Sequence, residues 1–139
     1  MSWSSLLAQK LRPDENGNLP RLWFLLGSEP LLAIEAQDAI RAAAFKAGYS
    51  ERKSFVFEGN ADFSPLYEAL GDQSLFGEKK LIEVVFPRAT IGKNGPAAVE
   101  AVIEHADEDK MVVVSLFDYD WTATKKDWFN HLMKAAVCI

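Results

Sequence analysis

Sulfur is scarce in this sequence: Cys138 is the one cysteine among 139 residues, so no internal disulfide framework is possible. Its apolar neighbours Val137 and Ile139 make it read as a buried thiol rather than a reactive one. Such usage fits a reducing cytoplasm, and a cytoplasmic location is the expectation. Long apolar runs are missing too. No stretch approaches the roughly eighteen consecutive apolar residues of a membrane span. The opening residues Met1 to Lys10 lack the basic region and apolar stretch of a signal peptide, so neither export nor a membrane partner is expected. Positive charge is in short supply, with fifteen Lys and Arg against twenty Asp and Glu and a net charge of -5. The chain therefore cannot form the broad basic surface that binds phosphate backbones, and any role with DNA is expected to be indirect. The two histidines, His105 and His131, fall on separate predicted helices and read as surface or packing residues. With Cys138 as the one sulfur donor, no zinc spacing exists.

What remains is the balance of a folded domain. Hydrophobic residues make up 49% and charged residues 25%, far from the disordered regime. The length suits one domain over 1–139 with its own core. The last residues, Ala136 to Ile139, read as an apolar strand without a polar tail, which suggests a piece of a longer protein.

Short apolar runs alternate with helical patterns. Trp3, Leu6, Leu7 and Leu11 share one side of an opening helix that Pro13 and the Asn16-Gly17-Asn18 turn bring to an end. Leu22 to Leu26 form a first strand closed by Gly27. Pro30 to Ala47 form a helix with Leu32, Ala36, Ala39, Ala43 and Ala47 on one side, Glu35, Asp38 and Arg41 on the other, and Gly48 at its end. A second, shorter strand is expected at Ser54 to Phe57, a helix at Asp62 to Leu70, and a third strand at Lys80 to Phe86. Then come a loop from Arg88, a helix at about Ala97 to His105 and a fourth strand at Met111 to Phe117. Thr124 and Asp127 have capping-box spacing and introduce a helix carrying Trp128, Leu132 and Ala136, before a fifth strand. Nearly all-apolar strands separated by helices imply an α/β fold: a five-stranded, mostly parallel sheet flanked by helices.

In such sheets ligands bind at the carboxyl ends of the strands. After the first strand stands Gly27-Ser28-Glu29-Pro30. This turn is too short to cradle a phosphate, no lysine follows it before Lys46, and Glu29 would repel a phosphate. After the fourth strand, Asp118 and Asp120 could hold magnesium, but aspartates also favour turns through their own backbone hydrogen bonds. Ser4, Ser5 and Ser74 have no nucleophile-elbow context. No cofactor, metal or catalytic residue is expected. The alternative from a different class is a nucleotide-binding phosphotransfer domain of P-loop-like fold using Gly27 to Glu29 and Asp118.

The segment Gly71-Asp72-Gln73-Ser74-Leu75-Phe76-Gly77-Glu78-Lys79-Lys80 stands apart. Leu75 and Phe76 sit among glycines, charges and a serine, outside any helical or strand period. Isolated apolar residues in a loop can be packing anchors beneath a sheet edge, or a wedge that enters a partner's pocket. A resemblance separates the two readings. Leu22-Trp23-Phe24-Leu25-Leu26-Gly27-Ser28-Glu29-Pro30-Leu31-Leu32, followed by Glu35, Asp38 and Ile40, resembles the opening strand and helix of the delta subunit of the bacterial DNA polymerase III clamp loader. Ser74-Leu75-Phe76-Gly77, with Lys79, Lys80 and an apolar strand after it, is similar to that family's clamp-binding segment. The likeness runs through the whole chain in order, including the Trp128-Phe129 helix.

The resemblance implies a RecA/AAA+-like fold without a functional nucleotide site, followed in the family by a small second domain and a helical collar. It implies a non-catalytic amino-terminal domain that pushes Leu75 and Phe76 into a hydrophobic pocket of the beta sliding clamp and opens the ring, with Gln73, Ser74 and Gly77 completing the clamp-binding set. ATP would enter through other subunits. The implied partners are the clamp and, through the full-length chain, the gamma/tau and delta-prime subunits. One departure is Gln73, where some relatives carry an apolar residue two places before the leucine.

Overall fold

The computed structural model describes residues 19–27, 30–58, 61–71, 78–88, 91–107, 109–117 and 122–138. The elements among them are β1 (Leu22–Gly27), α1 (Pro30–Lys46), β2 (Tyr49–Val56), α2 (Ser64–Gly71), β3 (Lys79–Phe86), α3 (Gly95–His105) and β4 (Lys110–Phe117). A single 3-10 turn (Ala123–Lys125), α4 (Asp127–Ala135) and β5 (Val137–Cys138) follow. The expected opening helix at Trp3 to Leu11 and its Asn16-Gly17-Asn18 turn lie outside the described residues.

The strands form one five-stranded sheet in the order β2-β3-β4-β1-β5, with every neighbouring pair parallel. This is the expected α/β fold, and the order is consistent with a RecA-like arrangement. Hydrophobicity explains the order: β1, β3 and β4 are the most apolar segments and occupy the interior, where both faces of a parallel strand are covered. Alternate residues sort into two cores. Phe24, Ile82, Val84, Val112 and Val114 pack against α2, α3 and α4, where Leu66, Val99, Phe129 and Leu132 meet them. Trp23, Leu25, Leu81, Met111 and Val113 pack under α1 through Ala36, Ile40 and Ala44.

Several expectations change in detail. The second strand runs from Tyr49 to Val56, starting five residues before the expected Ser54 and exceeding the expected length. It is the edge strand, and Glu51, Arg52 and Lys53 broke the apolar signal because an edge position tolerates charge. The buried line of α1 is Ala36, Ile40 and Ala44, with the expected Ala39, Ala43 and Ala47 flanking it half-buried; the side chain of Leu32 lies outside the description. Helix α3 starts at Gly95 rather than Ala97, with Pro96 in its first turn. Gly95 is required there, since an added Cβ would come within 2.4 Å of Ile91 Cγ1. The Thr124–Asp127 capping box does not form. Lys126 occupies the cap position of α4 without a side-chain bond, and the Asn130 amide instead donates to the carbonyls of Thr124 (3.0 Å) and Lys126 (3.1 Å). Thr124 is taken up by the 3-10 turn.

Gly48 turns the chain from α1 into β2 with φ +100, a conformation side chains disfavour. Replacing it with alanine is expected to destabilise the fold by about 1–2 kcal/mol. A urea midpoint equal to that of the unsubstituted chain would contradict this.

Candidate functional site

The five nominated residues Gln73, Ser74, Leu75, Phe76 and Gly77 lie outside the described residues, as do Ser28, Glu29, Asp118 and Asp120. What the structure gives is the platform on each side of residues 72–77. Helix α2 leads into them. Its start is secured by Asp62, whose Oδ1 accepts from the Ser64 backbone N–H at 3.0 Å and from the Ser64 hydroxyl at 2.7 Å. These bonds, the hydroxyl's first, hold the Asp62 carboxyl below its ordinary pKa. Phe63, beside it, packs its ring 4.6 Å from Phe57 and 6.3 Å from Phe86. Leu66, Ala69 and Leu70, spaced three and four apart, bury one face of the helix.

Strand β3 leads out. The Lys80 backbone N–H donates to Asp109 O at 2.8 Å, and Lys79 Nζ stands 5.3 Å from the centre of the Tyr49 ring. Further along β3 lies a feature that sequence reading missed: Glu83 is only 1% exposed. Arg41 Nε donates to its Oε2 at 2.6 Å and Arg41 Nη2 to its Oε1 at 3.1 Å, a bidentate pair. Ser54 Oγ donates to the same Oε1 at 2.6 Å, and Arg52 Nε is 3.8 Å from it. The hydrogen bond to Glu83 is the first cause raising the Arg41 pKa; burial opposes it, and the charges of Glu83 and Asp38 add to it. Nearby, Gln37 Nε2 donates to the buried Ser115 hydroxyl at 3.1 Å. This polar cluster lies between α1 and the sheet, and every member has a partner, so its role is architectural. The signal that could have found it is Glu83 itself, a single acid within the otherwise apolar run Leu81 to Phe86.

Elsewhere the structure brings little chemistry together. Among the described residues no three of His, Cys, Asp and Glu group as metal ligands, and no helix is long and apolar enough to cross a membrane. His105 and His131 are exposed, as expected, and His131 Nδ1 is 2.6 Å from Glu100 Oε2, tying α4 to α3. Cys138 is half-buried rather than buried, its thiol donating to Met133 O at 3.4 Å.

Comparison with known proteins settles the family. The sequence profile described as "DNA polymerase III, delta subunit" matches residues 23–139. The chain belongs to the DNA polymerase III delta-subunit family. Within the family it is similar to DNA polymerase III subunit delta of Escherichia coli (strain K12), with 32% identity over 93 residues, 67% of this chain and 26% of the relative. It is also similar to DNA polymerase III subunit delta of Haemophilus influenzae (strain ATCC 51907 / DSM 11121 / KW20 / Rd), with 25% identity over 114 residues, 80% of this chain and 32% of the relative. The matched chain thus spans about a quarter to a third of the length of these delta subunits.

Two outcomes follow for the platform. Replacing Arg41 with methionine strands the Glu83 carboxylate, and unfolding free energy is expected to fall by about 3 kcal/mol; adding Glu83→Leu should restore part of it. A double variant less stable than Arg41→Met alone would refute the architectural role. Asp62→Ala should lower the melting temperature at neutral pH. Because the folded carboxyl titrates below its unfolded value, its contribution is complete above the ordinary carboxylate pKa and is lost as pH falls through the lowered one. The difference between the two proteins should therefore shrink in acid, and a constant difference down to the lowest pH at which both fold would exclude the carboxylate as the cause.

Proposed function

We propose that this chain is the sliding-clamp-binding part of a clamp-loader delta subunit, and that Leu75 and Phe76 are the side chains it inserts into the hydrophobic pocket of the ring-shaped beta clamp. The observation that carries this reading is the Ser74-Leu75-Phe76-Gly77 motif at the junction of α2 and β3 in a chain of the delta-subunit family. Gln73, Ser74 and Gly77 flank the pair and complete the contact. Binding distorts one clamp interface, and ring opening is driven by tighter binding to the open form. The domain catalyses no reaction and holds no cofactor; ATP is handled by other loader subunits. Gamma/tau and delta-prime are its partners through the full-length subunit. The net charge of -5 supports an indirect relation to DNA.

The clamp supplies the surroundings that the two apolar side chains need. Burying one leucine or phenylalanine contributes on the order of 1.5 to 3 kcal/mol, so the pair supplies roughly 3 to 6 before ordering costs. That corresponds to about two to four decades of affinity. Replacing both Leu75 and Phe76 with alanine is therefore expected to abolish binding to a purified beta clamp in calorimetric titration while the thermal unfolding of the chain is preserved. Equal affinities of the two forms would overturn the proposal.

A further inference from the structure

We draw no further inference here: the strongest candidate, the groove between the edge strand β2 and α2 lined by Lys53, Phe55, Pro65, Glu68 and Ala69, carries nothing because nothing in the structure shows what covers it, and Lys53 and Glu68 present opposite charges that select no partner.

Discussion

A carboxylate in the middle of a parallel sheet is the constraint on which the arrangement depends. Glu83 has apolar neighbours along β3 and pairs with β2 on one side and β4 on the other, so its charge is tolerable only while donors reach it. Those donors come from different elements: Arg41 from α1, and Ser54 with Arg52 from β2. The requirement fixes register. Ser54 is opposite Glu83 in the β2–β3 ladder, and a slip of one residue would turn Ser54 to the other face of the sheet, away from Glu83. It also fixes the rotation of α1, since Arg41 reaches Glu83 only while Ile40 and Ala44 face the sheet. One buried charge therefore specifies how the edge strand and the covering helix sit on β3.

That specification extends to the proposed binding segment. Once β2 is held beside β3, Tyr49 stands beside Lys79, and the ring–cation contact becomes possible. On the other side of the junction, α2 is set by the Phe57, Phe63 and Phe86 rings and by Asp62, so both chain ends leading to residues 72–77 are attached to the core. A pair of apolar side chains that must meet a partner's pocket needs a rigid base, because any freedom in the base is lost on binding and subtracts from affinity.

The architecture was legible from the sequence where apolar runs are continuous. Leu22 to Leu26, Lys80 to Phe86 and Met111 to Phe117 each carry enough hydrophobicity to require burial on both faces, and each is an interior strand. Legibility failed at the edge, where Tyr49 to Lys53 form strand with little apolar content, because pairing on one side and solvent on the other relax the pattern. It failed for Arg41 as well, which helical periodicity assigned to the solvent side although its length lets the guanidinium return to the sheet. The Thr124 and Asp127 spacing misled because local spacing does not say where the helix begins: Thr124 is taken up by the 3-10 turn, and Lys126 stands at the cap of α4. The candidate segment stands out in the sequence by mismatch, since Leu75 and Phe76 belong to no period, and it is the resemblance that ties them to clamp binding.

The parallel topology says which end of the sheet the proposed binding segment joins. Ligands of such sheets sit at the carboxyl ends of the strands, here beyond Gly27 of β1 and Phe117 of β4. Residues 72–77 attach to the amino end of β3, and because all strands are parallel this is the opposite end of the sheet. Under the proposed reading, contact with another protein at the amino end does not depend on what occupies the carboxyl ends of the strands. The Glu83 cluster stands between the two ends and faces α1, where it constrains β3 whether or not a nucleotide is ever bound. Independence of the two ends is thus a property of the parallel topology.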